Sequence, residues 1–408
     1  MTPPPLSRRL VGFLLIPAFA AASPLIVLPF VSRNAGPAGW ASAIAGESVG
    51  TLAAIAIGYG WASIGPAMVS VAGEDTRRAR IYRDSIAVRL LLAMVVLPAL
   101  AVVCWFVASP GFEWLSVLMG TQGALIALSF TWYCAGVGDP RTIIVFDAVP
   151  RLIATVVAAG AIAATGVVEL YPMAGILVTL GGTTLFTWRL LRRNPGPWPT
   201  AREIPGLMRK GAPVALNDAA LSGYSSLPAP LVNVTSPPVA AAGFASAEKM
   251  LKLGQFLPMT LANAFQSWVA ETDGAGRWRR ILLALAVLIA GGLAGWAGLA
   301  FLGPWVSTVL FGEDASSSIG ILFTMGLVFA FFSFRTGLTR LVLFPAGLAT
   351  PVMRATLIAT ILGTPLMISL GLAWGPIGAA IGYAVTEGAA AALLIPRSLH
   401  VLRALASG

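Results

Sequence analysis

The chain is 408 residues long, 57% hydrophobic and only 10% charged, with a mean hydropathy of +0.86. That much apolar surface cannot be hidden in one water-soluble core, so the bilayer is its solvent. The net charge of +10 falls in alternate connections; it reports membrane topology, and no nucleic-acid partner is expected.

A helix needs roughly 20 apolar residues to span a bilayer. About twelve such segments follow one another: 10–31, 39–62, 85–107, 113–136, 142–165, 172–190, 211–232, 240–268, 281–302, 317–343, 353–373 and 376–396. A β-barrel would show weaker, alternating segments, so the fold class is an all-α polytopic membrane protein. Arg8 and Arg9 precede the first span. Arg77, Arg78, Arg80 and Arg83 follow the second, Arg141 the fourth, and Arg192, Arg193, Arg202, Arg209 and Lys210 the sixth. Arg277, Arg279 and Arg280 follow the eighth, Arg354 the tenth, and Arg397 and Arg403 the last. The opposite connections hold essentially only Arg33. The positive-inside rule then places both termini in the cytoplasm.

Arg8-Arg9, the apolar run and Ala18-Phe19-Ala20 also mimic a signal peptide. Its removal would leave eleven helices, so a first span is preferred. Cys104 and Cys134, in adjacent spans near opposite faces, are expected to pack without a disulfide. His400 lies in the solvated tail. Pro17, Pro24 and Pro29 interrupt the first span, Pro213, Pro228 and Pro230 the seventh, and Pro258 the eighth, where each bends its helix.

Gly39-Trp40-Ala41-Ser42-Ala43 returns 204 residues later as Gly243-Phe244-Ala245-Ser246-Ala247. Leu152-Ile153-Ala154-Thr155 returns after 205 as Leu357-Ile358-Ala359-Thr360. Two matches at nearly one offset indicate a duplicated half. The boundary falls at Asn194-Pro195-Gly196-Pro197-Trp198-Pro199, with six spans on either side. An even number means that both halves enter the membrane from the same side, a parallel repeat. The domains expected are a lobe over 1–194, a cytoplasmic linker over 195–204 and a second lobe over 205–408. No P-loop and no cysteine–histidine metal cluster is present, so neither cofactor nor metal is expected.

An ionised side chain at mid-bilayer costs roughly 2.5–3.5 kcal/mol and so faces a wet cavity or a partner. The eighth span is richest. Glu248, Lys252, Gln255, Asn263 and Gln266 fall within an arc of roughly 80° on a helix, with Lys249 just off it. Two readings stand: a Glu248–Lys252 pair that glues helices, or the wall of a substrate cavity. The wall is preferred because the stripe runs several turns past the pair. Asp218, with Ser222 and Ser225 on its face, and Glu47, near Thr51, are candidates for ion coupling or for buried, bonded carboxyls. Glu387 stands alone and suits helix-to-helix hydrogen bonding. Asp147 and Arg151, around Pro150, suit a structural ion pair. Arg89, Arg335 and Arg340 can snorkel to the interface. Arg151 and these three are also the candidates for anion contacts.

Four stretches resemble one family: "PLIVLPFVSRNAGPAGWASAIAGESVG", "FTWYCAGVGDPRTIIVFDAVPRLIAT", "AAGFASAEKMLKLGQFLPMTLANAFQSWVAE" and "LVLFPAGLATPVMRATLIATILGTPLMISLGLAWGPIGAAIGYAVTE". They resemble the multidrug/oligosaccharidyl-lipid/polysaccharide exporter (MOP) superfamily, and within it the Wzx-type flippases of O-antigen and other polysaccharide repeat units. The resemblance implies two six-helix lobes in a V. It implies a substrate of undecaprenyl-diphosphate-linked oligosaccharide, turned to the outer leaflet of the bacterial inner membrane. It implies polysaccharide polymerase and glycosyltransferases as partners, and no enzymatic activity. Lys249 matches the basic residue of the family's eighth helix. The lipid II flippase branch typically has two further helices and an arginine cluster in its first lobe; neither is seen here, which disfavours lipid II. The drug/cation antiporters of the same superfamily rely on cavity acids, so Glu47 and Asp218 keep that reading as the alternative. An unrelated permease, a membrane glycosyltransferase or polymerase, and a non-transporting scaffold are the remaining readings. Short outer connections disfavour the enzyme, and the polar stripe disfavours the scaffold.

Overall fold

In a computed structural model, which describes residues 6–272 and 274–407, every regular element among the described residues is helical. The side chains of residues 6–23, with Pro17 and the Ala18-Phe19-Ala20 site, and the side chain of Pro213 lie outside the described part. The chain divides into two compact units, residues 26–234 and residues 1–25 with 235–408.

Eight helical stretches among the described residues are long and apolar enough to cross a membrane. They hold nine of the twelve expected spans and the end of the first, residues 24–31, because two stretches are hairpins. α1 (Leu6–Gly58) breaks at Gly36, with φ 64°. The last helix, α16 (Ala349–Ser407), breaks at Gly375, with φ 62°. Each glycine takes a left-handed conformation closed to other residues, and each precedes a proline that starts the next helix. The two arms of α16 run antiparallel at close range. A Cβ added to Gly382 would lie 2.4 Å from the Met367 Cα, and one on Gly363 would lie 2.1 Å from the Thr386 Oγ1. The other two expected spans, 211–232 and 240–268, also lie on helix.

The 26–234 unit continues with α2 (Trp61–Ser70), α3 (Asp75–Val107), α4 (Glu113–Leu125), α5 (Thr131–Val137), α6 (Pro140–Ile143), α7 (Val149–Thr165), α8 (Leu170–Arg193), α9 (Ile204–Ser226) and α10 (Pro228–Thr235). Gly46 and Gly50 of α1 meet Ser116 and Gly120 of α4. A Cβ on Gly46 would be 2.2 Å from the Ser116 carbonyl oxygen, and one on Gly50 would be 2.3 Å from that of Gly120. This is small-xxx-small packing, which lets two backbones touch where lipid supplies no hydrophobic drive. An aromatic core surrounds Tyr82, whose hydroxyl bonds Thr187 at 2.7 Å. Phe130 stacks on Phe186 there, with centroids 4.4 Å apart.

The proline-rich segment at 194–199 lies inside this unit. Arg83, buried, donates to the carbonyls of Asn194 (2.6 Å) and Pro197 (3.4 Å). Arg80 pairs with Glu203 at 3.3 Å. Arg83 of the basic connection therefore fastens the segment, and Arg80 holds the residues just after it. Beyond it, α9 packs on α2 and α3. Gly60, at φ 77°, makes room for Val214 there.

The 235–408 unit holds α11 (Pro238–Gly254), α12 (Phe256–Ala270), α13 (Gly274–Ala297), α14 (Gly303–Phe311), α15 (Ile319–Gly337) and α16. The repeated pentapeptide packs alike in both units. Gly39 abuts Phe112 and Gly243 abuts Ser316, so the contacted positions are also 204 apart. Ser42 Oγ accepts from the Ser109 amide at 2.9 Å, and Ser246 Oγ donates to the Ala315 carbonyl at 2.6 Å. Each serine ties its helix to the turn before the next-but-one span. The two pentapeptides thus make similarly placed contacts, each within its own unit.

Candidate functional site

In the 235–408 unit the polar stripe runs along α11 and α12. The helix falters at Gln255 because Pro258 has no N–H for the Gly254 carbonyl. Glu248 is fully buried at 0% exposure, and Lys252 Nζ meets its Oε1 at 2.5 Å. Lys249 is also buried. Gln255 and Gln266 are half-buried and Asn263 is exposed. The stripe thus passes from a buried ion pair to an open end. At that end Arg340 Nη1 donates to Asn263 Oδ1. Gln266 lines a cavity of about 230 Å³ there, with Arg277, Leu341 and Phe344. Arg335 and Glu387, 52 residues apart, meet at 2.5 Å, Nε to Oε1. Glu387 is 1% exposed, so this carboxylate does link two helices.

In the 26–234 unit Arg151 Nη2 donates to Asp147 Oδ1 at 2.6 Å and to Thr179 Oγ1 at 3.4 Å. The pair sits at a π-helical turn, Ile144–Ala148. Pro150 supplies no N–H to the Phe146 carbonyl, which presses on Gly182 of α8 instead: a Cβ there would lie 2.2 Å away. Tyr171 hydrogen-bonds Gln122 and feels the charges of both Glu47 and Arg151. Glu47, Gln122, Asp147, Arg151, Tyr171 and Thr179 thus gather from α1, α4, the π-helical turn, α7 and α8. Sequence reading missed Gln122 and Tyr171. A lone glutamine inside an apolar span was the available signal.

Arg89 does not snorkel. It is 1% exposed. Its Nη1 donates to the carbonyls of Ala127 (2.7 Å) and Ser129 (3.0 Å), and the guanidinium lies 5.6 Å from the Trp132 centroid. The break between α4 and α5 leaves carbonyls without helical donors, and Arg89 satisfies them.

Asp218 Oδ2 accepts from Ser63 Oγ of α2 at 2.9 Å. Its expected neighbours bond each other instead, Ser225 Oγ to the Ser222 carbonyl at 3.0 Å. Asparagine at 218 keeps an acceptor for Ser63, so Asp218→Asn should fold normally. We expect it to alter the pH or sodium dependence of transport in vesicles clamped at zero potential. Identical profiles for variant and wild type would remove a coupling role.

No family model matches the sequence. The chain is 22% identical over 360 residues to a Shigella dysenteriae protein named "Putative O-antigen transporter", covering 86% of this chain and 90% of that one. Its structure is similar to that of the lipid II flippase MurJ in an inward closed conformation: TM-score 0.73, 12% identity, 97% of this chain and 90% of that one. It is also similar to an inward-facing multidrug resistance MATE family transporter of the MOP superfamily: TM-score 0.57, 18% identity, 98% of this chain and 99% of that one. At these identities the structural likeness speaks for the fold. The chain is a multi-pass membrane protein with the fold of the MOP superfamily, and its relatives are transporters and flippases, not enzymes.

Proposed function

We propose that the protein moves an undecaprenyl-diphosphate-linked oligosaccharide, a polysaccharide or O-antigen repeat unit, from the inner to the outer leaflet of the bacterial cytoplasmic membrane. It does so by alternating access, with both termini cytoplasmic and the duplicated halves, 1–194 and 205–408, as lobes. The observation that carries this reading is the polar stripe of α11–α12, with the buried Glu248–Lys252 pair at one end and an open face at the other. The near full-length match to a protein named as an O-antigen transporter supports the cargo. Arg340, at the open end, is the arginine assigned to the diphosphate or acidic sugars. Arg151, Arg335 and Arg89 are held by Asp147, Glu387 and main-chain carbonyls.

The energetics suit this cargo. A glycan and a diphosphate cannot enter hydrocarbon, whereas the polyprenyl tail never needs to leave it. With the inside negative by about 100 mV, each negative charge moved outward releases roughly 2.3 kcal/mol. Ion coupling through Asp218 or Glu47 is therefore permitted but not required. Those two acids favour the second reading, a drug/cation antiporter of the same fold.

The test is glycan export in cells lacking their own flippase. Lys252→Ala should lose export by about tenfold or more while the protein still accumulates in the membrane. Lys249→Ala should do equal or less harm. The single change also strands Glu248 without its cation, so Glu248→Ala/Lys252→Ala is the decisive variant. It should remain inactive if the pair belongs to the cavity; recovered export would make it helix glue. Absent glycan export with raised drug resistance would favour the antiporter.

A further inference from the structure

A cavity of about 450 Å³ opens in the 26–234 unit where α3 begins and α5 and α8 end. It therefore sits at the ends of the apolar spans, at the boundary of hydrocarbon and water. Its volume is within the range of ligand sites, about 300–1,000 Å³. Phe146 and Phe186 give it an apolar lining. Their neighbours Val145 and Leu185 are 61% and 46% exposed, so apolar surface continues outward along the spans.

The charged lining carries both signs, Arg189 and Arg193 with Asp75 and Asp139. The Arg189 guanidinium lies 5.3 Å from the Phe146 centroid, which holds a cation at the seam of the two linings. Among the described residues neither arginine has an ion pair. Asp139 accepts from the Thr142 hydroxyl at 2.6 Å and the Thr142 amide at 3.3 Å. These bonds, the hydroxyl first, hold its carboxyl below the usual range, so it stays charged. Asp75 gives one oxygen to Arg78 at 3.2 Å and is 79% exposed.

Two cations and two anions do not select a simple anion. They select a ligand that carries both signs, and the aromatic wall asks that it carry a chain. We propose that this cavity holds the headgroup of an amine-bearing zwitterionic phospholipid. The phosphate faces Arg189 and Arg193, the ammonium faces Asp75 and Asp139, and the acyl chains leave past Phe146 and Phe186 into the bilayer. A primary ammonium can donate hydrogen bonds to the carboxylates; a choline cannot.

Native mass spectrometry of the full-length protein tests this, with equal amounts of dioleoyl phosphatidylethanolamine, phosphatidylcholine and phosphatidylglycerol. The ethanolamine lipid should be retained preferentially. Arg189→Ala/Arg193→Ala should cut that retention about tenfold. Asp139→Asn should erase the preference over the choline lipid, and Arg193→Lys should keep part of the binding. Thermal unfolding of each variant separates lost binding from lost fold; if the double variant misfolds, the two conservative variants decide. Equal retention of the glycerol lipid would overturn the proposal. So would unchanged binding in the folded double variant, or displacement by equimolar, water-soluble glycerophosphoethanolamine, which would mark a headgroup site without a lipid.

Discussion

Gly46→Ala and Gly50→Ala should each destabilise the protein, and Gly50→Leu should prevent its accumulation. The added Cβ would lie 2.2 Å from the Ser116 carbonyl oxygen in the first case and 2.3 Å from that of Gly120 in the second. Both obstacles are backbone, so no side-chain rotation relieves them. The helices must part along their whole contact, and overpacking of this kind costs typically about 1–3 kcal/mol. Gly160 and Gly181 provide the control, because a Cβ at either meets nothing within 4 Å. Alanine there should be neutral or stabilising, by up to about 1 kcal/mol, since glycine is a poor helix former. Thermal unfolding in detergent, followed by size-exclusion monodispersity, reads both classes. A Gly46→Ala protein that melts no lower than wild type would show that α1 and α4 do not pack backbone to backbone.

Arg335→Met should be worse than Arg335→Met/Glu387→Leu. The Glu387 side chain is 2% exposed and the Arg335 side chain 14%, so removing the arginine alone strands a carboxylate away from water. Breaking a buried pair from one side costs about 3–5 kcal/mol, whereas replacing both partners with apolar groups is often neutral or stabilising. The unfolding midpoint should therefore fall in the single variant and recover in the double. Equal midpoints would mean that the pair is not energetically coupled. The recovered double variant also examines function. If it transports at the wild-type rate, Arg335 makes no needed contact with an anionic headgroup and serves only to join α15 to α16.

Much of the fold was legible because the bilayer imposes a length on each helix. The repeated pentapeptide falls on two helices with similarly placed contacts, whereas the Gly-Pro steps at Gly36 and Gly375 show themselves as hairpin tips only in three dimensions. Gly39 and Gly243, with Ser42 and Ser246, each meet a turn two helices further on, by contacts that differ in detail. The pairing of charges was less legible. Arg335–Glu387 and Ser63–Asp218 join residues far apart in sequence. A span that is apolar all round carries little periodic signal to say which face meets a neighbour. Arg89 looked like an interfacial side chain because the break in the chain at Ser129, whose carbonyl it holds, left no mark in the hydropathy. The Glu248–Lys252 pair was readable because i, i+4 neighbours share a helix face.

The hairpin of α16 also bears on how the protein is made. No charged residue lies between Arg354 and Glu387, and only Gly375 departs from helical conformation at the tip. A nascent chain delivering this pair to the membrane has no hydrophilic loop to drive across. The two arms can slide in together as one apolar wedge, already zipped at Gly363, Gly378 and Gly382.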